Sequence, residues 1–182
     1  MMKINKLIFL DVDGVLNSDR WSKWIFHNRW FLKEGGHRHI DPNGVSKVIE
    51  ICKQTDAKII LSSSWRLWNY EQTKNNLGGL RDLRPLLEYL VGITEKTEDR
   101  HRGTEIKKYL ERCKDQNFYW EHGWLKNPST TIEISEDSIY IIIDDDEDML
   151  DEQLPYFIHT DFMDGISTED VNNSIKLLNR TV

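Results

Sequence analysis

Two carboxylates one residue apart follow the first apolar run of the sequence. Asp11 and Asp13 come after this run and are followed directly by Gly14. A lone Asp at a strand end commonly caps a turn, but two of them delivered onto a glycine favour a functional site. A calcium loop of the EF-hand type also begins with alternating acids, yet it needs Gly at its sixth position and Glu at its twelfth. Leu16 and Ser22 occupy those positions, so this alternative fails.

Hydroxyls and cations follow in two later segments. A run of three serines, which includes Ser62 and Ser63, follows a second apolar run and has Arg66 behind it. Arg102 and Lys107 lie at the entrance of a helical pattern, where a basic helix N-terminus can bind an anion. Taken alone, the serines fit a helix cap as well as a phosphate contact, and the default for a surface lysine is solvation.

Acidic residues are concentrated late in the sequence. The 182-residue chain has a formal net charge of -7, and residues 127–175 contain 14 acidic residues and no Lys or Arg. A solvated face accounts for most of them, but the run Asp144–Asp148 stands directly behind an apolar run. Like charges at this density repel one another unless solvent or a bound cation offsets them.

Together these groups form the set that phosphoryl transfer needs. An Asp can attack phosphorus and form an aspartyl phosphate, which divides one hard displacement into two easier steps. Mg²⁺ held by carboxylates offsets the repulsion between carboxylate and phosphate, while hydroxyls and a Lys or Arg hold the phosphoryl oxygens. A second acid protonates the leaving oxygen and then activates water.

The elements that must position these groups are short apolar runs alternating with helical patterns. This alternation predicts an α/β fold, with a parallel sheet covered by helices on both faces. The strand candidates are Lys6–Leu10, Ala57–Leu61, Leu90–Ile93, Ser138–Ile143 and Tyr156–Thr160. In such a sheet, ligands bind outside the carboxyl ends of the strands, which is where the polar groups stand.

Three helices are predicted from apolar residues at helical spacing. The first begins at Asp41 and Pro42, and the second covers residues 106–113. The last begins at Ser167, with Asp170 three residues later in an arrangement like a capping box.

Two stretches, about 18–40 and about 114–137, fit no element and are predicted to be insertions. The first contains Trp21, Trp24 and Trp30 among basic residues. These tryptophans could stack on a base as a substrate lid or pack as the hydrophobic underside of one, and both interpretations stay open.

Length and composition fit one domain with one sizeable core, since 38% of the residues are hydrophobic. The apolar runs are too short to cross a bilayer or to form a signal peptide, so we expect no membrane association and a cytoplasmic location. Cys52 and Cys113 are expected to be free thiols of a reducing compartment. No stable protein partner is evident from the sequence.

Four segments resemble the motifs of the haloacid dehalogenase-like (HAD) phosphatase superfamily, over about residues 6–148. They are residues 11–16, the serines after residues 59–61, a basic residue before the fourth strand, and the acids after residues 141–143. More narrowly, segments 10–17, 63–66, 102–106, 142–149, 160–161 and 165–166 resemble the HAD domain of "Swiss army knife" RNA-repair proteins and stand-alone relatives, to about residue 178. The resemblance implies a three-layer Rossmann-like sandwich with strand order 5-4-1-2-3 and a small or absent cap.

The resemblance also implies a role for each acid. Asp11 would be the nucleophile and a magnesium ligand, and Asp13 would be the general acid/base, with its backbone carbonyl on the metal. Asp145, with Asp144 beside it, would complete the magnesium site. The implied strand order places the first and fourth strands side by side, which would bring these distant acids onto one metal.

For the phosphate, the resemblance implies Ser62 or Ser63, and the spacing to Trp65 favours Ser63. The third motif of the superfamily is most often a lysine, and here Arg102 is the first candidate and Lys107 the second. The implied function is a magnesium-dependent phosphomonoester hydrolase that acts on a phosphorylated small molecule or a nucleic-acid end.

Two alternatives come from other classes of protein. A response-regulator receiver is also a parallel α/β fold with strand-end acids, but it carries its phosphorylated Asp after the third strand, where this chain has residues 93–95, Ile-Thr-Glu. A catalytically idle phosphate-binding module is the other alternative, and the presence of Asp11, Asp13 and Asp145 argues against it.

Overall fold

The computed structural model describes residues 2–28, 39–67, 69–114 and 132–180. Its strands are β1 (Met2–Leu10), β2 (Lys58–Leu61), β3 (Leu90–Ile93), β4 (Ile132–Asp144) and β5 (Phe157–His159). Its α-helices are α1 (Asp19–His27), α2 (Pro42–Thr55), α3 (Tyr70–Gly79), α4 (Arg102–Lys114) and α5 (Thr168–Leu178). Short 3-10 helices cover Arg84–Glu88 and Asp151–Tyr156.

The five strands form one parallel sheet in the order β3-β2-β1-β4-β5. This is the predicted order read from the other edge, so the prediction is confirmed. The chain builds the sheet outward from β1 through β2 to β3, and then returns to the other side of β1 to add β4 and β5. The order therefore reverses at β1, and ligands of such sheets bind at the carboxyl ends of the strands beside this switch point.

Side chains of β1 alternate between two layers of core. Ile8 and Leu10 belong to the larger cluster, which includes residues of α2 and α5, whereas Leu7 and Phe9 belong to a second cluster with Ile106 of α4. Burial on both faces explains why the strands are nearly continuous apolar runs. Helices on both faces of the sheet confirm the predicted three-layer α/β class.

Two predicted helix starts are confirmed by their caps. The side chain of Asp41 accepts a hydrogen bond from the backbone N–H of Asn43 at 2.9 Å, directly before Pro42. Ser167 and Asp170 cap α5 reciprocally, with bonds of 2.7 and 3.1 Å between side chain and backbone. Each bond satisfies a backbone donor that has no partner inside the helix.

Helices α1 and α3 are not predicted by the sequence pattern. Residues 18–40 contain α1, which begins after Ser18, whose hydroxyl accepts from the backbone N–H of Trp21 at 3.1 Å. The element-free interpretation is therefore wrong for residues 19–27, while residues 29–38, with Trp30, lie outside the described residues. Helix α3 is mostly polar and buries only Thr73 and Leu77, which leaves too weak an apolar pattern to detect.

Strands β1 and β4 begin earlier than predicted. Residues 2–4 pair with residues 132–134, and the register shifts between Ile4 and Lys6. Charged residues interrupt the apolar pattern there, which is why the sequence prediction starts both strands late. The predicted insertion at about 114–137 therefore contains the start of β4, and residues 115–131 lie outside the described residues.

Both cysteines are free thiols, as predicted. Burial raises the pKa of Cys52 and of Cys113 to about 12. Within the described ranges, no helix combines the length and apolarity that crossing a membrane requires.

Candidate active site

Four polar side chains form one row across the carboxyl edge of the sheet. Leu61 of β2 pairs with β1 at Leu10 and with β3 at Ile93, and Leu10 also pairs with β4 at Ile143. The next position on each strand is polar, which gives the row Thr94, Ser62, Asp11, Asp144. Three backbone bonds extend the ladders to it: Thr94 N to Leu61 O (3.0 Å), Ser62 N to Leu10 O (2.8 Å) and Asp11 N to Ile143 O (3.0 Å).

All four residues of the row are buried, at 4% exposure or less. Because side chains alternate along a strand, the residue after Leu10 lies on the same face as Phe9, which is the face that α4 covers. The row therefore faces the N-terminal end of α4.

Arg102, the first residue of α4, brings a cation to this row. Its Nη2 lies 3.3 Å from Asp11 Oδ1, and its Nε lies 2.9 Å from Asp144 Oδ2. Its side chain is 13% exposed, so these ion pairs are largely shielded from solvent.

Lys107 occupies a different face of α4. It is five positions from Arg102, which turns it about 140° around the helix axis. Its ammonium lies 3.1 Å from Glu152, and 47% of its side chain is exposed. The structure thus brings the first candidate for the cation to the acids and leaves the second at the surface.

Asp11, Asp144 and Asp145 form a cluster in which one carboxylate oxygen from each lies within 4.8 Å of the others. Gly14 lies against this cluster with φ of +65°, and a Cβ there would overlap the carboxylate of Asp145. Glycine is therefore required both for the backbone conformation and for the close approach of the acid.

The electrostatics of this cluster favour a bound cation. Burial, with repulsion from Asp144, raises the pKa of Asp11 to about 8, although Arg102 and a hydrogen bond from Ser63 oppose the rise. Burial likewise raises the pKa of Asp144 to about 7. Its Oδ2 is buried and accepts no aligned hydrogen bond from the described residues. Oxygen ligands with uncompensated negative charge are the donor set that suits Mg²⁺, so these residues fit that ion.

Asp13 is held apart from the cluster by three donors. Its Oδ1 accepts from Asn17 Nδ2 at 2.7 Å and from Trp65 Nε1 at 2.9 Å, and its Oδ2 accepts from Ser64 Oγ at 2.9 Å. The amide oxygen of Asn17 in turn accepts from the backbone N–H of Gly14 at 2.9 Å. These bonds fix Asp13, the second acid of the sequence pair, in a half-buried position.

The two predicted serines lie side by side but have different partners. Ser63 Oγ accepts from the backbone N–H of Trp65 at 3.2 Å. Ser62 Oγ lies 3.2 Å from Thr94 Oγ1. Both hydroxyls therefore adjoin the row, each in a different hydrogen-bond chain.

Two residues of this site, Thr94 and Glu105, are not predicted from the sequence. Glu105 Oε2 lies 2.6 Å from Arg66 Nη2 and 3.7 Å from Arg102 Nη1, so one buried carboxylate stands between two guanidinium groups. Arg66 also donates from Nη1 to Thr94. Thr94 directly follows a strand, as the predicted site residues do, and this position could have identified it; Glu105 has no such signal.

Helix α1 docks beside the switch point through its first turn. The backbone N–H groups of Asp19 and Arg20 donate to the carbonyls of Phe162 (3.2 Å) and Met163 (3.0 Å), in the loop after β5. The tryptophans of α1 stack on one another, with ring centroids 5.3 Å apart for Trp21 and Trp24. Trp24 is 41% exposed, so part of its side chain is accessible to solvent.

A parallel five-stranded sheet whose first and fourth strands deliver acids to a switch point is the architecture of a HAD-like α/β domain. Residues 7–121 match the family described as the HAD domain in Swiss Army Knife RNA repair proteins, and the chain belongs to this family. The match includes Asp11 and Arg102 but ends before Asp144, which β4 brings to the site. Comparison with curated proteins and with solved structures yields no match.

Proposed function

We propose that this protein is a magnesium-dependent phosphomonoester hydrolase that removes phosphate from a nucleotide or a polynucleotide end. The observation that carries the proposal is the position of Asp11, which is buried at the switch point in a cluster with Asp144 and Asp145 and lies 3.3 Å from Arg102. Membership in a HAD family supports hydrolase chemistry at this position.

The proposed reaction has two steps. A carboxylate oxygen of Asp11 attacks phosphorus and forms an aspartyl phosphate, while the bond from phosphorus to the leaving oxygen breaks and Asp13 gives that oxygen a proton. Asp13 then takes a proton from water, which attacks phosphorus, releases phosphate and restores Asp11. Arg102 and one of the two serines, Ser62 or Ser63, hold the phosphoryl oxygens as negative charge spreads over them.

Asp11, Asp144, Asp145 and the backbone carbonyl of Asp13 are the groups that would hold Mg²⁺. When bound, the ion would supply positive charge that keeps Asp11 ionised and offsets its repulsion of phosphate.

The substrate proposal is supported by α1 and by the family. Trp24, which is 41% exposed, could stack on a base, and stacking of one base contributes roughly 1–3 kcal/mol. The net charge of -7 disfavours tight nonspecific binding of long nucleic acids, which leaves a short end as the better substrate.

A phosphatase screen tests the proposal. The purified chain would be assayed with Mg²⁺ against oligonucleotides bearing 3′ or 5′ phosphates, mononucleotides, sugar phosphates and phosphopeptides. We expect phosphate release to be fastest from a nucleotide or an oligonucleotide end and to stop in EDTA. Asp11→Asn should abolish release while circular dichroism shows an intact fold, because the amide keeps the shape of the carboxylate but cannot attack phosphorus. Undiminished turnover by this variant would exclude Asp11 as the nucleophile.

A further inference from the structure

Three buried side chains form a chain of hydrogen bonds behind the predicted nucleophile. Arg66 donates from Nη1 to Thr94 Oγ1, which lies 3.2 Å from Ser62 Oγ. Arg66 is 5% exposed, and Thr94 and Ser62 are each 1% exposed. Thr94 and Ser62 are also adjacent members of the row at the carboxyl edge of the sheet.

The direction of these bonds is fixed by chemistry. A guanidinium group has N–H donors and no acceptor, so the oxygen of Thr94 must accept from Arg66. The single proton of Thr94 is then directed to Ser62, which accepts it. The proton of the Ser62 hydroxyl is left for a different acceptor, and the other neighbour of Ser62 in the row is Asp11.

Arg66 is itself held rigidly from behind. Its Nη2 lies 2.6 Å from Glu105 Oε2, and both side chains are 4% exposed. Charge-assisted hydrogen bonds of this length are among the stronger polar contacts in proteins. Thr94 is fixed in turn by the backbone bond from its N–H to Leu61. The chain of hydrogen bonds therefore begins at Arg66, a donor whose position is fixed by Glu105.

Building on the proposed function, we propose that Thr94 and Arg66 are positioning residues that orient the Ser62 hydroxyl as a donor to the phosphoryl group bound at Asp11. Ser63 lies outside this chain of hydrogen bonds, because its hydroxyl oxygen accepts from the backbone N–H of Trp65. Ser62 is therefore the serine whose hydroxyl Thr94 orients.

Inorganic phosphate is the probe for this proposal, measured by calorimetry with Mg²⁺ present and as an inhibitor of hydrolysis. Thr94→Val keeps the side-chain volume but removes the hydroxyl, and we expect it to weaken phosphate binding about tenfold, the size expected for a hydrogen bond to a charged group. Thr94→Ser restores the hydroxyl and should bind phosphate within about twofold of the native chain. The concentration of Mg²⁺ that gives half-maximal activity should not change in either variant.

Ser62→Ala distinguishes positioning from simple structural support. If Thr94 acts through Ser62, adding Thr94→Val to Ser62→Ala should weaken phosphate binding by less than about twofold, because the group being oriented is already gone. Full, independent losses in the double variant would overturn the proposal. Thr94→Ala, which places no methyl group against Arg66, serves in the same comparison if Thr94→Val fails to fold.

The result also separates this inference from the function on which it rests. A native chain that binds phosphate and hydrolyses esters, together with a Thr94→Val variant that does both equally well, overturns only the role of Thr94. A native chain that neither binds phosphate nor hydrolyses any ester overturns both.

Discussion

Replacing Asp144 with Asn is predicted to stabilise the metal-free protein at pH 8 and to remove most of the stabilisation that Mg²⁺ gives the native chain. Four charged side chains are buried around the row, Asp11, Asp144, Glu105 and Arg66, and Arg102 lies beside them at 13% exposure. Three carboxylates against two guanidinium groups leave one negative charge uncompensated, and Asp145 adds to it from a half-buried position. Removing one carboxylate balances the buried set, whereas binding of a divalent cation balances it in the native protein.

The size of the effect follows from the pKa of Asp144. Burial raises it from 3.8 to about 7, so the folded state holds the proton more tightly than the unfolded state. Stability that is fully present below pH 3.8 is therefore lost as pH rises toward 7. A pKa difference of this size corresponds to a ceiling of about 4 kcal/mol at pH 8. One kcal/mol shifts the melting temperature of a chain of this size by about 2–4 °C, so we expect a rise of several degrees, with about 8–16 °C as its upper limit.

The assay is thermal unfolding followed by circular dichroism, in EDTA and in Mg²⁺, at pH 8 and pH 5. The advantage of Asp144→Asn in EDTA should shrink at pH 5, where native Asp144 is protonated. Asp146→Asn is the matched control, because this exposed acid belongs to the same run and should leave the melting temperature nearly unchanged. The reasoning fails if Asp144→Asn melts several degrees below the native chain in EDTA, or if Mg²⁺ stabilises both proteins equally.

Three further predictions concern turnover. Asp13→Asn should slow hydrolysis of alkyl phosphates about 10²–10⁴-fold but that of activated aryl phosphates far less, because only the alkoxide leaving group needs a proton. Equal losses of rate on both substrates would mean that Asp13 supports the structure or the metal site and is not the general acid. Arg102→Lys should raise KM for phosphate esters at least about tenfold, since an ammonium group cannot reproduce the two contacts of the guanidinium group with Asp11 and Asp144. Lys107→Ala should have the KM of the native chain. A larger effect of Lys107→Ala than of Arg102→Lys would assign phosphate binding to Lys107. Trp24→Ala should raise KM for an oligonucleotide end about 5–100-fold and that for an aryl phosphate little, and a lower melting temperature with unchanged substrate preference would assign Trp24 to packing.

The central strands are predictable because their side chains are buried on both faces of the sheet, whereas the strand order is implied by the resemblance to the HAD superfamily. A short continuous apolar run such as residues 139–143 is typical of a parallel strand covered by helices on both faces. Helix α1 is harder to predict, since its tryptophans fit a lid as well as a helix face. Helix α3 is harder still, because its formation depends on caps and on two buried residues rather than on an apolar stripe.

The residues of the site also differ in how far the sequence predicts them. Asp11 and Asp13 are recognisable because they are one residue apart and are followed by glycine, but the proximity of Asp11 to Asp144 depends on the pairing of β1 with β4. Which cation joins them depends on the rotation of α4, which the sequence leaves open between Arg102 and Lys107. Thr94 belongs to no recognisable motif, and only the pairing of β2 with β3 shows that it lies beside Ser62 in the row.

The acidic run 144–148 is best understood as several separate environments rather than one charged face. Asp144 lies in the row, and Asp145 lies against Gly14. The side chain of Asp148 accepts from the backbone N–H of Arg102 at 2.8 Å, and its carbonyl accepts from the next N–H at 3.0 Å, so it caps the start of α4. One loop therefore carries the candidate metal ligands at its beginning and, at its end, fixes Arg102, the candidate phosphate-binding cation. The same few residues hold Asp144 and Asp145 at one end of the loop and Arg102 at the other. A cation bound by the two acids would therefore order the loop that positions Arg102, and a phosphoryl group bound by Arg102 would order the loop that positions the acids.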